Sequence, residues 1–509
     1  MYLTQPLHRA LDQFPQRTMT ICGDRTRTTR EVADRVARLA GAFRALGITE
    51  GDRVGMLALN SDRYHEYFYA TWWTGGIVTP LNIRWSPAEM AYALTDSGTE
   101  VLLVDDAYAH LAPELRRRCP GLRTVIHCGD TPTPNDMLSY EDLLTTADAV
   151  EDVRRGGDQV AALLYTGGTT GLPKGVMATH RSLTTSAFGS VLVDEAVERG
   201  GTVLLTAPMF HVAAFLSWFS QSLMGGTLVF LPTFTPDGFL DAVQRHHVST
   251  TILVPVMVQA VCEHPDFAAY DTSSLRSVIY GGAGSPEALL HQTMEAFPRA
   301  RFTQGYGMTE TGVLTMLTPG DHVTGGSRLR SVGRATPAVE LAVLAPGGTR
   351  LPPGEVGEVA ARGDNLMLGY WGQPEATAEA LRDGWMHTGD GGYLDEDGYL
   401  YIVDRLKDMI ITGGENVYSA EVENALASHP SVASCAVIGV PDTRWGERVH
   451  AVVVPRPGQS PSADALRAHV KTLIAGYKAP RSFAFVESLP LTATGKILKR
   501  SLRQAHGPA

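Results

Sequence analysis

The segment Tyr165-Thr-Gly-Gly-Thr-Thr-Gly-Leu-Pro-Lys-Gly175 follows an apolar run at residues 161–165 that predicts a buried strand. Its glycines allow a tight turn whose backbone amides point at an anion, and its threonine hydroxyls and Lys174 add further donors. These groups predict a loop that binds a polyphosphate. The segment is not a Walker A loop, because Lys174 follows Pro173 and precedes Gly175 rather than Ser or Thr. A P-loop kinase or ATPase is therefore disfavoured.

The regions around this segment alternate short β-branched runs with helical patterns up to about residue 300. Apolar residues spaced by three and four predict a helix over residues 32–46, with Thr28 and Glu31 as its capping box and Gly47 at its end. Other strands are predicted at residues 54–59, 101–104, 203–205, 227–231, 251–254 and 277–280. This alternation predicts an α/β architecture with largely parallel sheets.

The pattern of apolar runs and turn residues changes twice further along the chain. After about Phe302 the runs shorten and Gly and Pro cluster, which predicts a mostly β module. A second change near residues 404–408 opens a small α+β unit. Its predicted helices lie around residues 421–426 and 466–473, and its predicted strands lie at residues 436–440 and 451–454.

Composition narrows the class of protein. The 509 residues hold 44% apolar side chains and a net charge of −11, which predict a soluble chain of two to four domains and disfavour nucleic-acid binding. Five scattered cysteines without a CxxC pair suggest neither disulfides nor a zinc site, and a cytoplasmic protein is expected. Neither a signal peptide nor a transmembrane segment is predicted; contact with a membrane surface stays open.

Seven further segments occur in order along the chain. They are Pro208-Met-Phe-His-Val212, Tyr280-Gly-Gly-Ala283, Gln304-Gly-Tyr-Gly-Met-Thr-Glu310, Trp385-Met-His-Thr-Gly-Asp390, Asp404-Arg-Leu-Lys-Asp408, Gly413-Gly-Glu-Asn416 and Pro490-Leu-Thr-Ala-Thr-Gly-Lys496. Together with the glycine-rich loop, this set resembles the adenylate-forming enzymes, which include acyl-CoA synthetases, peptide-synthetase adenylation domains and luciferases. The resemblance runs from about Thr28 to Lys499. Gly168 departs from it, because the family carries Ser or Thr there, so one hydroxyl donor is lost.

The resemblance implies two domains. Residues 1–404 would form a large N-terminal domain of parallel-rich α/β subdomains plus a distorted β-barrel, holding the ATP and acyl sites. Residues 405–509 would form a small mobile α+β domain that rotates about Lys407. A homodimer stays open.

The resemblance also implies a nucleotide site. Tyr306 would stack on adenine, and Asp390 and Arg405 would bind the ribose. Thr309 would reach the α-phosphate, and Glu310 with Thr169 would hold Mg²⁺. The full set of implied ATP and AMP contacts is Thr166, Gly167, Gly168, Thr169, Thr170, Gly171, Lys174, Gly282, Ala283, Gln304, Gly305, Tyr306, Gly307, Asp390 and Arg405.

The implied reaction has two halves. A carboxylate attacks the α-phosphate of Mg·ATP to give an acyl-adenylate and pyrophosphate, with Lys496 contacting the reacting groups and His211 positioning the acid. The thiol of CoA then displaces AMP. The implied CoA side comprises Gly413, Gly414, Glu415, Trp445 and Lys478, with Lys471 and Arg481 as further candidates for phosphate contacts. Two more segments, Pro441-Asp-Thr-Arg-Trp-Gly-Glu447 and Tyr477-Lys-Ala-Pro480, resemble free-standing acyl-CoA synthetases and favour CoA as the acceptor.

Which class of acid is the substrate depends on the side chains that line the acyl pocket. Its candidates are Phe210, Val212, Phe215, Met257, Val258, Gly281 and Gly282. Phe215 lies where some fatty-acid synthetases place an aromatic gate, which favours a fatty acid, and aryl acids such as benzoate or cinnamate analogues remain open. Two other functions also remain: a stand-alone adenylating enzyme that serves a carrier protein, and an inactive homologue that binds metabolites.

Overall fold

The computed structural model describes residues 1–166, 172–193, 198–282, 287–405, 408–413, 415–491 and 497–507, with the backbone alone at Arg405 and Asn416. Its strands are β1 Thr18–Cys22, β2 Arg25–Thr28, β3 Arg53–Leu57, β4 Ile77–Pro80, β5 Val101–Val104, β6 Thr124–His127, β7 Leu138–Ser139, β8 Val160–Thr166, β9 Lys174–Thr179, β10 Thr202–Leu205, β11 Thr227–Phe230, β12 Thr250–Leu253, β13 Ser277–Gly281, β14 Arg301–Met308, β15 Gly312–Leu317, β16 Arg334–Ala335, β17 Glu340–Leu344, β18 Gly357–Arg362, β19 Gly369–Tyr370, β20 Leu381–Arg382, β21 Trp385–Leu394, β22 Leu400–Arg405, β23 Ile410–Thr412, β24 Glu415–Val417, β25 Val432–Asp442, β26 Gly446–Pro455 and β27 Ser482–Phe485.

The helices are α1 Gln5–Gln13, α2 Thr29–Ala45, α3 Asp62–Trp73, α4 Pro87–Ser97, α5 Ala112–Arg118, α6 Tyr140–Thr146, α7 His180–Val193, α8 Val212–Met224, α9 Pro236–His246, α10 Pro255–Cys262, α11 Glu287–Ala296, α12 Pro319–Thr324, α13 Pro374–Ala380, α14 Ser419–Ala427, α15 Ala463–Leu473 and α16 Lys499–His506. Four 3₁₀ turns lie at Ala109–Leu111, Phe267–Ala269, Gly326–Arg330 and Gly476–Lys478. Within the described ranges, no helix is long and apolar enough to cross a lipid bilayer.

Two large mixed sheets carry most of the chain. The first has the order β16-β15-β14-β13-β12-β10-β11-β1-β2 and is parallel from β14 to β1. The second has the order β19-β9-β8-β4-β3-β5-β6-β7 and is parallel from β8 to β7. Antiparallel strands extend both sheets at their edges. The predicted α/β class with largely parallel sheets is confirmed.

Two smaller sheets follow. Strands β17, β18, β20, β21 and β22 form an antiparallel sheet, and β23 to β27 form the sheet of the C-terminal region. The region after about Phe302 is mostly β, as predicted, but its first strands do not form a separate module. Strands β14 and β15 instead extend the first large sheet, because β14 pairs in parallel with β13. The antiparallel module therefore begins only at β17.

Helix α3 occupies the centre of the N-terminal core, and it was not predicted. All twelve of its residues are buried, and it contacts β1 of one large sheet and β3 and β4 of the other. Its charged side chains are held by ion pairs, such as Arg25 to Asp62 at 2.9 Å and Arg35 to Glu66 at 2.7 Å. A helix buried on every side has no amphipathic stripe, so periodicity did not reveal it.

Helix α2 shows the opposite case. Its capping box at Thr28 and Glu31 is present as predicted, with its apolar stripe buried against the core. The predicted strands over residues 101–104 and 203–205 also appear within a residue of their expected bounds. Local signals sufficed where a segment has one buried face or a short apolar run.

Candidate functional site

Two neighbouring strands of the first large sheet carry glycines that approach each other closely. Gly281 of β13 lies opposite Gly305 of β14. A Cβ atom at Gly281 would lie 2.3 Å from the carbonyl oxygen of Gly305, whereas one at Gly305 would meet nothing within 4 Å. There is therefore no room for a side chain at Gly281, whereas Gly305 borders open space in which a planar group can pack against the backbone.

Tyr306 follows this pair and connects it to β21. Its hydroxyl donates a hydrogen bond of 2.7 Å to Oδ2 of Asp390, which is only 6% exposed. Asp390 in turn lies opposite Arg405 in the β21–β22 register. Three segments that are far apart in sequence, each implied to bind the nucleoside, thus meet at one place.

Glu310 lies in the tight turn between β14 and β15, beside half-buried Thr309. Its carboxylate oxygen Oε1 accepts a hydrogen bond of 2.9 Å from the hydroxyl of Tyr370, and the residue is 7% exposed. Burial and the neighbouring carboxylate raise the pKa of Tyr370, so this phenol remains a donor. A nearly buried carboxylate is the kind of hard oxygen ligand that Mg²⁺ prefers, so Glu310 fits the implied metal.

Strands β8 and β9 form the two sides of the glycine-rich loop. Thr166 pairs with Lys174 at the point where the hairpin opens. The Nζ atom of Lys174 lies 4.9 Å from the centroid of the Tyr370 ring. The hydroxyl of Tyr165, just before the loop, donates to Asp96 at 2.6 Å. Lys174 is therefore held near the tyrosine that binds Glu310.

The connection from β10 to α8 carries Phe210 and His211. Their rings lie 4.3 Å apart, and His211 is the N-cap residue of α8. The buried carboxamide of Asn60 holds this connection: it accepts from the Met209 amide at 2.8 Å and donates to the Ala207 carbonyl at 2.9 Å. Asn60 follows β3, so it joins the two large sheets at this point.

The other acyl-pocket candidates differ in their surroundings. Phe215 is fully buried, with its ring 5.1 Å from that of Phe68 and 5.6 Å from that of Trp218. Val212 is half-buried against the same core. Met257 and Val258 lie on α10. Val258 is buried in a separate hydrophobic cluster, and Met257 packs against that cluster. Phe215 thus lies inside an aromatic core.

An aromatic and cationic cluster lies in the C-terminal region. The Trp445 ring has the guanidinium of Arg444 at 4.9 Å and that of Arg481 at 4.1 Å. Gly413 packs against the same ring: its amide donates to the Trp445 carbonyl at 2.8 Å, and a Cβ there would lie 2.9 Å from the indole. With φ at +62°, Gly413 also has the left-handed conformation that favours glycine.

Three other candidates of this region have different surroundings. Lys478 forms an ion pair with Glu421 at 2.7 Å, so its charge is already engaged. Glu415 and Lys471 are exposed.

Several predicted site residues lie outside the described part of the chain. They are Gly167, Gly168, Thr169, Thr170, Gly171, Ala283, Lys407, Gly414 and Lys496. Of the other predicted residues, Gln304 is buried on β14, Gly307 lies near its end, and Gly282 follows β13 with φ at +78°.

Three buried polar residues were missed by the sequence analysis. Asn60 holds the β10–α8 connection, Tyr370 holds Glu310, and Asn365 donates to the backbone carbonyl of Thr311 at 2.8 Å. Each acts across more than 50 positions of sequence, as the separations of 147, 60 and 54 residues show. No local pattern marks such a contact, since it depends on which loops the fold brings together.

Comparison with known proteins adds independent information. The sequence profile described as AMP-binding enzyme matches residues 7–371, and that described as AMP-binding enzyme C-terminal domain matches residues 421–496. A feruloyl-CoA synthase from Amycolatopsis sp is 41% identical over 503 residues, covering 99% of this chain and 98% of that protein. A fatty acid–[acyl-carrier-protein] ligase from Streptomyces coeruleorubidus is 38% identical, covering 96% and 93%. The crystal structure of an anthranilate CoA ligase in complex with anthranoyl-AMP superimposes with a TM-score of 0.93 at 28% identity, covering 100% and 97% of the two chains.

Proposed function

We propose a reaction for this chain, which belongs to the family of AMP-binding enzymes: it joins a hydrophobic carboxylic acid to CoA and converts ATP to AMP and pyrophosphate. The membership predicted from the motifs, and with it an adenylate-forming acid–thiol ligase, is confirmed by the matching profiles and relatives. Enzymes of this class use ATP, Mg²⁺ and CoA. The observation that carries the proposal is the hydrogen bond from Tyr306 on β14 to Asp390 on β21, with Glu310 in the turn that follows β14.

The first half-reaction requires an anion to attack a polyanion. Tyr306 and Asp390 hold the nucleoside, and Lys174 holds the phosphates. The chain thereby fixes the α-phosphate next to the acid, and positioning of this kind supplies much of the rate in phosphoryl chemistry. When bound at Glu310, Mg²⁺ would offset the charge on the phosphate oxygens. Lys496 contacts the carboxylate and the α-phosphate.

The second half-reaction brings in CoA, and the cluster around Trp445 supports this acceptor. CoA carries an adenine ring and phosphate groups, which an indole and two guanidinium groups recognise by stacking and by charge-assisted hydrogen bonds. Gly413 allows the backbone to approach the same ring. We place the domain boundary at residues 404 and 405, with rotation about Lys407 exchanging Lys496 for the loop at Gly413.

An aryl acid is our first choice of substrate, and a fatty acid is the second. The argument for a fatty acid rested on Phe215 as a gate, but this ring is fully buried among Phe68 and Trp218. Gly281 and Gly305 carry no side chain and Gly305 borders open space, so a planar ring has room to pack there. The feruloyl-CoA synthase at 41% identity supports the same choice.

The experiment tests substrate and acceptor together. The protein is incubated with Mg·ATP, CoA and, in turn, ferulate, anthranilate, octanoate or palmitate, and AMP, pyrophosphate and thioester are measured. We expect AMP and thioester with ferulate or anthranilate, and no adenylation by Lys496→Ala. Turnover of octanoate or palmitate alone would replace the aryl proposal by the fatty-acid one, and ADP as the product would refute the mechanism.

The acceptor has a second candidate. The carrier-protein ligase at 38% identity supports transfer to a phosphopantetheinyl carrier protein. AMP formation without acyl-CoA, followed by loading of an added holo carrier protein, would favour that function. ATP binding without turnover of any acid would favour an inactive homologue. A cytoplasmic location, a homodimer and contact with a membrane surface stay predictions.

A further inference from the structure

A short segment at residues 367–371 connects two parts of the candidate site. Its strand β19 pairs with β9, so that Tyr370 lies opposite Val176, two residues after Lys174. At its other end, the amide of Met367 donates to the backbone carbonyl of Glu310 at 2.8 Å. The segment therefore joins the exit strand of the glycine-rich loop to the turn that holds Glu310.

Tyr370 makes the same connection with its side chain. Its hydroxyl donates to Oε1 of Glu310 at 2.9 Å, and its ring lies 4.9 Å from the ammonium group of Lys174. The face of the Tyr370 ring thus contacts a cation, and its hydroxyl donates a hydrogen bond to a carboxylate. The side chain of Tyr370 therefore contacts both the carboxylate of Glu310 and the ammonium group of Lys174.

The ring itself is fixed in place. Tyr370 is 9% exposed and packs with Val176, Met367 and Met386 in a small apolar cluster. Its backbone amide donates to Oγ1 of Thr377 at 2.9 Å. The ring cannot shift without disturbing these contacts. It therefore holds the Glu310 carboxylate in a defined position.

We propose that Tyr370 is a positioning residue of the adenylation site, an inference that rests on the proposed function of Glu310 and Lys174. Its hydroxyl orients the Glu310 carboxylate for Mg²⁺, as partners of metal ligands commonly do. Its ring holds the Lys174 ammonium beside the same phosphates. Glu310 and Lys174 therefore act as one unit on Mg·ATP.

Two substitutions separate the two contacts. Tyr370→Phe removes the hydroxyl and keeps the ring, whereas Tyr370→Leu removes both. Tyr140→Phe is the matched control, because the buried hydroxyl of Tyr140 donates to Glu66 at 2.6 Å, away from the candidate site. Affinity for Mg·ATP, and for ATP in excess EDTA, is measured by calorimetry, and pyrophosphate exchange gives the Mg²⁺ concentration for half-maximal rate.

We expect Tyr370→Phe to weaken Mg·ATP binding about tenfold and to raise the Mg²⁺ requirement by a similar factor. Its affinity for ATP in EDTA should match that of the native protein, while Tyr370→Leu should weaken both. Tyr140→Phe should alter neither. Equal losses with and without Mg²⁺ in Tyr370→Phe, an unchanged Mg²⁺ requirement, or the same losses in Tyr140→Phe would overturn the inference. A native protein that fails to bind Mg·ATP would instead refute the proposed function.

Discussion

Replacement of Asn60 by alanine would test how the two large sheets are joined at the proposed acyl site. The change removes the acceptor for the Met209 amide at 2.8 Å and the donor to the Ala207 carbonyl at 2.9 Å; the contact to the Leu205 carbonyl at 3.4 Å is long and adds little. Each buried backbone group left without a partner costs about 1–3 kcal/mol. Two such groups predict a loss of about 3 kcal/mol in the free energy of unfolding.

A catalytic effect should accompany this loss, because the released backbone leads directly into Phe210 and His211. We expect the KM for the acid to rise about tenfold, as for a loss of about 1.4 kcal/mol in binding, with the KM for ATP unchanged.

Urea denaturation and initial rates with ferulate would measure these two effects. Asn82→Ala is the matched control, since Asn82 accepts one bond from the Arg84 amide in an exposed turn, and its loss should stay within about 0.5 kcal/mol. A stable Asn60→Ala protein, or equal increases in both KM values, would refute the reasoning.

Three further predictions concern other parts of the molecule. Gly281→Ala should force β13 and β14 apart, lower the melting temperature and raise the KM for the acid, whereas Gly305→Ala should leave the melting temperature unchanged; calorimetry and initial rates measure these effects. Trp445→Ala should raise the KM for CoA about tenfold by removing a stacking surface, with ATP–pyrophosphate exchange unaffected. Burial lowers the pKa of His65 from 6.5 to about 3, so stability should be fully present above pH 6.5 and fall towards pH 3 as the unfolded state takes up the proton. His65→Gln should flatten this dependence in thermal melts recorded from pH 7 to pH 4, and an unchanged slope would contradict it.

Much of the fold followed from local signals. Helix α2 has one apolar face and a capping box, and the short strands of the parallel sheets are apolar runs between turns. Local signals did not predict helix α3, because all its faces are buried and its charged side chains form ion pairs inside the core. The sequence did not show that the separate antiparallel sheet begins only at β17, because the pairing of β14 with β13 joins segments that no local pattern links.

The sequence by itself determined the family, because its motifs stand in the order found in adenylate-forming enzymes. The roles of single residues toward the nucleotide and the metal are what that resemblance implies. Only the tertiary structure decided what holds those residues in place. Tyr370 reaches Glu310 across 60 positions, and Asn60 reaches Ala207 across 147. A hydrogen bond needs its partners within about 3 Å of each other, and only the packing of the sheets brings such distant residues that close.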